Sequence, residues 1–350
     1  MSKKKMRFGV IGPGGAGRNR VMRLVQSTPS VEVVAAADTN DACITQLEES
    51  LGYKVEHLTN RSAYKKLIDK MDVDAVGVFS PHTLHYEHAK YALEAGKHVL
   101  IEKPMVCGVG NALETAHIAA KNDLVYLIHY QRHFAAKFYT LRQQLRRGAI
   151  GEVQSFYIYM AQDWSGHSWR GDPRFSGGGQ LNDSGSHYLD ILLWMTDLLP
   201  KSAEGSADYY YQGEKKRVPI NGSFNVELSN GAAGRVVILG DYIHGFREDI
   251  RIKGDKGVLF FQDEKLMLVK PGKQLEEIPL SVPKNYPACP ADNFGRLLTG
   301  RSKVNHVPPT FGARVALLTD AILEAAATGK KIECAKLLKK SGHDMKALSQ

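Results

Sequence analysis

Apolar and polar positions follow two different rhythms along this chain. Up to about residue 130, short apolar runs alternate with stretches of helical spacing. Arg7-Phe8-Gly9-Val10-Ile11 is one such run, and Val21, Leu24 and Val25 follow at the period of a helix. Val31 to Ala37 and Asp74 to Phe79 read as further strands, and Thr83 to Ala95 as a helix closed by Gly96. Lys97 to Ile101, Val109 to Lys121 and Leu124 to Ile128 continue as strand, helix and strand. Strand and helix in alternation predict a doubly wound parallel sheet with helices on both faces. In such sheets ligands bind beyond the carboxyl ends of the strands. The polar segments 80–85, 102–104 and 129–133 fall there and are expected to converge on one crevice.

Beyond about residue 150 the period becomes that of half-buried strands. Glu152 to Ala161, Ser223 to Leu228 and Ala233 to Leu239 alternate, and strand-like pieces follow near 247–253, 257–261 and 265–269. Asn221-Gly222, Asn230-Gly231 and Lys256-Gly257 read as the turns between them. One largely antiparallel sheet is predicted, interrupted by a helix over about 182–198 and followed by another from Gly312 to Thr328. The expected organisation is an N-terminal α/β domain over 1–130, an α+β domain over 131–335 with a large open sheet, and a loosely held lysine-rich tail over 336–350.

The first strand leads into Gly12-Pro13-Gly14-Gly15-Ala16-Gly17, and the second ends on Asp38, 21 residues past Gly17. Strand, glycines, helix, strand and acid in this order form the dinucleotide-binding fingerprint. Gly12 permits the tight turn, Gly14 lets the backbone approach a pyrophosphate, and Gly17 lets helix and sheet pack closely. The helix start offers N–H groups to the phosphates. Asp38 would bind the ribose hydroxyls and repel a 2′-phosphate, and Thr39-Asn40-Asp41 supplies no arginine beside it. NAD is therefore expected over NADP, with Arg18 and Arg20 the two cations within reach of the phosphates.

Composition narrows the picture further. At 350 residues, with 43% hydrophobic and 24% charged residues, the chain reads as an ordinary two-domain globular protein. The formal charge of +9 is scattered over small clusters such as Lys3-Lys4-Lys5 and Lys215-Lys216-Arg217. Without aromatic residues interleaved with them, these clusters do not predict a nucleic-acid groove. Cys43, Cys107, Cys289 and Cys334 fit neither a disulfide framework nor a zinc pattern, so reduced thiols of a cytoplasmic protein and no bound metal are expected. No signal peptide is read at the start, and no run approaches the ~20 apolar residues of a membrane span.

A second constellation lies in Ser176-Gly177-Gly178-Gly179-Gln180-Leu181-Asn182-Asp183-Ser184-Gly185-Ser186-His187-Tyr188-Leu189-Asp190. Helical spacing would bring Asp183, His187 and Asp190 to one face, and a histidine beside a carboxylate suits proton transfer near neutral pH. The competing reading is a capping aspartate and a core histidine. Upstream, the stretch from Asp163 to Phe175 is expected to select substrate. Trp164 and Trp169 would offer ring faces to a sugar, and His167, Arg170 and Arg174 would offer polar contacts.

The glycine loop, Ser80-Pro81-His82-Thr83-Leu84-His85, the run Ala95 to Pro104 ending in Glu102-Lys103-Pro104, and Asp183-x-x-x-His187-x-x-Asp190 together resemble the Gfo/Idh/MocA oxidoreductases. The resemblance extends from Arg7 to about Ile332. It implies a nucleotide-binding Rossmann domain, a C-terminal sheet that forms homodimers or homotetramers, and a catalytic set of Lys103, Asp183 and His187. By the same resemblance Ser80, Pro81, His82, His85, Glu102, Lys103 and Arg132 line the cofactor. Lys103, Trp164, Trp169, Arg170, Asp183 and His187 would meet the substrate, and Asp190 would be structural. Gln131 stands where the family more often has asparagine, which leaves the role of Arg132 open.

The function so implied is hydride transfer between NAD and a secondary alcohol or ketone carbon of a sugar, polyol or inositol. Lys103 would stabilise the alkoxide and His187 take its proton, and Pro104 would hold the lysine at the strand end, for which a cis bond is one means. Two other readings use the same frame. One is a glycosidase that oxidises its sugar transiently with bound NAD, and the other is a nucleotide-sensing regulator without catalysis.

Overall fold

The runs expected as strands in the N-terminal stretch assemble into one parallel sheet in the computed structural model, which describes residues 5–164 and 166–349. The strands are β1 (Met6–Ile11), β2 (Val31–Ala37), β3 (Glu56–Leu58), β4 (Ala75–Val78), β5 (His98–Ile101) and β6 (Tyr126–Ile128). Their order is β3-β2-β1-β4-β5-β6, with every pairing parallel. The sequence of connections reverses between β1 and β4, the place where doubly wound sheets open a ligand crevice. Helices α1 (Gly15–Ser27), α2 (Asp41–Leu51), α3 (Ala63–Lys70), α4 (His85–Glu94) and α5 (Val109–Lys121) alternate with the strands. In α1 the buried positions are Gly17, Val21 and Leu24, the single stripe that its spacing predicts. Asn40 caps α2 through its side chain, and Gly52 ends it at φ +75°.

Contacts divide the chain into two units. The first runs through Cys107 and adds Asn111–Gln131 and Pro287–Gly312; the second comprises Gly108–Gly110, Arg132–Tyr286 and the chain from Ala313. The second unit holds helices α6 (Ala136–Arg146), α7 (Pro173–Ser176), α8 (Gly179–Asn182) and α9 (Gly185–Thr196). Its strands are β7 (Val153–Ala161), β8 (Pro200–Gln212), β9 (Lys215–Leu228), β10 (Ala233–Leu239), β11 (Arg247–Gly254), β12 (Val258–Gln262), β13 (Lys265–Val269), β14 (Glu276–Ile278) and β15 (Ile332–Glu333). They form one sheet in the order β14-β13-β12-β11-β7-β10-β9-β8-β15, antiparallel except between β7 and β10. One face buries Ile158, Phe224, Val236, Ile238, Ile250 and Ile252. Every residue of α9 from Gly185 to Met195 is buried, so this helix is a core element and not a surface one.

Several local expectations change. Asn221-Gly222 is not a turn but the interior of β9, where Gly222 leaves room for the Phe224 ring and Leu181. The helix expected over 182–198 is broken at Asp183 and Ser184, which separate α8 from α9. Residues 287–312 join the first unit through α10 (Pro290–Leu298), whose Phe294 meets Phe8 edge to face. After α11 (Pro309–Thr328), the lysine-rich end is not loose. It forms α12 (Cys334–Lys340) with Leu337 and Leu338 buried, and the Leu348 carbonyl accepts a bond from Arg314. Leucines spaced among the lysines supply the face that holds it. Lys3, Lys4 and Ser165, named in the sequence reading, lie outside the described residues. Among the described residues no helix is long and apolar enough to cross a membrane, and no disulfide links the cysteines.

Candidate active site

The predicted residues divide between the two units. The first carries Gly12 to Gly17, Asp38, Ser80, Pro81, His82, His85, Glu102 and Lys103. The second carries Arg132, Trp164, Trp169, Arg170, Asp183 and His187.

In the first unit the glycines do separate jobs. Gly12 has φ +76°, and a Cβ there would lie 2.8 Å from the Ser80 nitrogen. A Cβ on Gly17 would sit 2.6 Å from the Gly12 carbonyl oxygen and 2.9 Å from Phe79 Cβ, so this glycine joins α1 to the sheet. A Cβ added at Gly14 or Gly15 would meet no atom within 4 Å, which leaves the start of α1 open to a pyrophosphate. Pro13 is buried and Ala16 exposed. Asp38 ends β2 half-buried, and its Oδ1 accepts the Asn40 N–H at 2.9 Å. Burial raises its pKa against the bonds from Asn40 and Thr39. Of the two cations near the loop, Arg20 donates to Glu102 Oε1 at 2.7 Å and Arg18 to Gln46.

Beyond β4 and β5, histidines tie two loops together. Ser80 Oγ lies 2.8 Å from His88 Nδ1, and His82 is buried with its ring edge to face with His85. His85 is fully buried, with Nε2 2.8 Å from the Ser80 carbonyl and Nδ1 2.8 Å from the Pro104 carbonyl. Carbonyls only accept, so both bonds form only with the imidazolium, whereas burial pulls the His85 pKa down. A neutral His85 donates to only one of the two carbonyls, and its ring lies between the Ser80 carbonyl and the turn that carries Lys103. The Lys103–Pro104 peptide bond is cis. Glu102 is buried under this turn, and its Oε2 accepts the Lys103 N–H at 3.1 Å. Burial works against the Glu102 carboxylate, yet the charges of His129, Arg20 and Lys103 outweigh it and hold its pKa below the usual range. Burial pushes His129, 3.6 Å away, down to about 4, so at neutral pH the attraction comes from Arg20 and Lys103.

In the second unit His187 occupies the first turn of α9, buried, and Asp183 lies in the break before it. The Asp183 backbone is held by its N–H to Gly179 and by its carbonyl, which accepts from Ser186 Oγ. Its Oδ2 accepts from Trp164 Nε1 and from Arg170 Nε, each at 2.9 Å. The face of Trp164 is therefore not offered to solvent. The ring is 6% exposed and packs with Val218, Ile220 and Tyr210. Trp169 is half-buried and carries the Arg170 guanidinium over its ring at 4.6 Å. The one-face grouping of Asp183, His187 and Asp190 is corrected by the helix break. Asp190 faces His133, whose Nε2 is 3.0 and 2.9 Å from its two oxygens, and His133 stacks on Trp194. Arg132 donates to Tyr188 Oη at 3.1 Å and covers its ring, while that hydroxyl donates to Glu248 at 2.7 Å.

Sequence reasoning missed the pairs Trp164–Asp183, His133–Asp190 and Tyr188–Glu248. No local spacing announces them, since their members are 19, 57 and 60 residues apart. The one available signal was an NH-bearing tryptophan and an aspartate in a segment otherwise able to build a core.

Comparison with known proteins agrees with this frame. Residues 6–130 match the model described as an oxidoreductase family with an NAD-binding Rossmann fold, and residues 138–260 match the GFO/IDH/MocA C-terminal domain. The chain is 27% identical to the uncharacterised oxidoreductase YdgJ of Escherichia coli over 92% of its own length and 96% of that protein. It is 25% identical to levoglucosan dehydrogenase of Pseudarthrobacter phenanthrenivorans, covering 83% and 86% of the two chains. A solved structure of levoglucosan dehydrogenase in complex with NADH and levoglucosan shares the fold. Its TM-score is 0.79 at 20% identity, over 94% of this chain and 99% of that one.

Proposed function

The chain belongs to the Gfo/Idh/MocA oxidoreductases, with an NAD-binding Rossmann domain, and on that premise we propose that it is a dehydrogenase of a sugar, polyol or inositol-like substrate. It transfers hydride between NAD and a secondary alcohol carbon. The observation that carries this reading is Lys103, held through its N–H by Glu102 and placed beside His85 just past the carboxyl end of β5 in an NAD-binding sheet. Curated relatives of the chain include a levoglucosan dehydrogenase and a D-glucoside 3-dehydrogenase, which supports a sugar-like substrate.

In this reading Gly14, Gly15 and the start of α1 hold the pyrophosphate, and Asp38 holds the adenosine ribose. Ser80, Pro81, His82 and Arg132 complete the cofactor contacts. Bound NAD supplies the hydride acceptor. Lys103 lowers the energy of the developing alkoxide, His187 accepts the hydroxyl proton, and Asp183 orients the substrate. The outward face of the large sheet, with Tyr157, Tyr159, Val237 and Phe260 on neighbouring strands, is the surface for a homodimer or homotetramer.

A screen of free sugars, inositols and keto-sugars for change in nicotinamide absorbance tests the proposal. Net NADH formation with a polyol is expected. Glycoside cleavage without release of NADH would replace the dehydrogenase reading with the glycosidase one, and tight NAD binding without turnover on any substrate would favour the regulator.

A further inference from the structure

The loop expected to present aromatic faces to a sugar is instead built around Asp183. Trp164 is anchored by its backbone N–H to the Gly240 carbonyl at 2.7 Å, and the main chain at Asp163 forms an antiparallel bridge with Asp241. This sets the indole against Val218, Ile220 and Tyr210 with its N–H aimed at Asp183. From the other side, Arg170 sits on the tight turn Ser168–Gly171. That turn leans on the β8–β9 hairpin. Cβ atoms added at Gly166 and Gly171 would lie 3.1 and 3.2 Å from the Tyr210 ring, and Arg217 reaches the Gly171 carbonyl. Two donors from separate turns thus converge on one carboxylate oxygen.

An ionised carboxylate oxygen offers about two acceptor positions, and Oδ2 has both taken by N–H groups. Protonation at Oδ2 would set an O–H against an N–H, which disfavours the neutral acid at that oxygen. Bonds donated to the charged form favour that form. We propose that Trp164 and Arg170 are positioning residues that lock Asp183 as an oriented, permanently ionised acceptor, which leaves His187 as the proton carrier of the pair. The inference deepens the dehydrogenase reading and rests on it for its kinetic arm alone.

The chain has three tryptophans, so a ¹⁵N-labelled sample gives at most three indole cross-peaks. Trp164→Phe identifies one of them. Asp183→Asn is expected to move that peak, and acid titration of the wild type is expected to leave it in place through the ordinary aspartate range. A peak indifferent to Asp183→Asn, or one that titrates in that range, overturns the lock whatever the enzyme's activity.

For kinetics, Trp164→Phe keeps the ring and removes the donor. Its kcat/KM should fall about 10- to 100-fold, the scale of a hydrogen bond to a charged group. Asp183→Asn combined with Trp164→Phe should lose little beyond Asp183→Asn alone, because both act through one carboxylate. Additive losses would make Trp164 a packing residue only. Should Trp164→Phe fail to fold, Arg170→Met, at a partly exposed side chain, carries the same arm. Wild-type activity with single variants that match it sinks this inference and spares the function. Absence of hydride transfer in the wild type sinks the function, and the indole spectra still decide the lock.

Discussion

The nucleotide-binding loop and the Asp183 region are both turns that open onto a helix, and they are built by opposite means. In the loop the working groups are main-chain. Gly12 and Gly17 remove side chains where atoms would collide, and Gly14 and Gly15 leave the helix start bare. Around Asp183 the working groups are side chains brought from distant turns, with Trp164 and Arg170 converging on one oxygen. A cofactor common to many enzymes can be recognised by backbone geometry, whereas proton transfer on a particular substrate needs oriented side chains. The first kind of site tolerates change outside its few glycines; the second is coupled to packing throughout its unit.

The hardest way to break the second region is at His187, the proton carrier of the proposed mechanism. His187→Asn keeps the size of the ring's first half and removes the titration. A loss of about 10²- to 10⁴-fold in kcat/KM is expected, the range for general acid–base catalysis. Alcohol oxidation by the wild type should rise with pH through the histidine range, because the ring must be neutral to accept a proton, and ketone reduction should show the opposite limb. The pH–rate profile of the variant should lack that limb. If it persists, Lys103 handles the proton.

Lys103 is the corresponding test on the first unit. Lys103→Ala should fold, still bind NAD and lose at least ~100-fold in turnover, as for removal of a group that stabilises developing charge. Titration of NAD by fluorescence beside single-turnover kinetics separates the two properties. Weak NAD binding in this variant would mean that the lysine builds the cofactor site and not the chemistry.

The contrast also explains what the sequence revealed. The β1–loop–α1–β2–Asp38 order was readable because each glycine answers a constraint within a few residues of itself, and the parallel sheet followed from apolar runs of strand length. Spacing and side-chain chemistry singled out Asp183 and His187, and the family resemblance gave them their roles and supplied Lys103. The convergence of segments 80–85, 102–104 and 129 was also readable from strand ends, whereas the individual side-chain pairings between distant turns stayed hidden. Trp164 looked like a sugar platform because its partner is 19 residues away. Helical spacing of Asp183 with His187 was misleading because the chain breaks at Ser184. The strand β8 and the first half of β9 escaped because Ser, Gly and Pro interrupt their alternation. Pro219 is tolerated there because β10 pairs with β9 only over Gly222–Glu227.

A subtler experiment splits the loop itself. Gly17→Ala places a methyl 2.6 Å from the Gly12 oxygen and 2.9 Å from Phe79 Cβ, and should cost about 1–3 kcal/mol of stability, as overpacking does. Gly15→Ala meets open space at a helix start and should fold at least as well as the wild type while weakening NAD. Denaturation midpoints with and without NAD read both. Equal losses of stability would show that the two glycines share one structural role.

The smallest effect expected is on the choice between NAD and NADP at Asp38. A carboxylate at the end of β2 repels a 2′-phosphate, and Arg20, which could have countered it, is held by Glu102. Asp38→Ala should narrow the preference for NAD by about tenfold, the scale of one exposed charge pair removed in partly solvated surroundings. The effect should also depend on pH in a defined direction. Burial raises the Asp38 pKa, so the group takes up its proton at a higher pH than a solvated aspartate would. As pH falls into and slightly above the ordinary aspartate range, the wild type should lose its discrimination as the charge disappears. Above that range the preference should be constant. The alanine variant should show no trend from this carboxylate, and the phosphate's own titration, common to both proteins, cancels in the ratio. Dissociation constants for both cofactors across that range decide the matter. A variant that keeps the wild-type ratio at every pH would move the origin of the preference from the Asp38 charge to the shape of the loop.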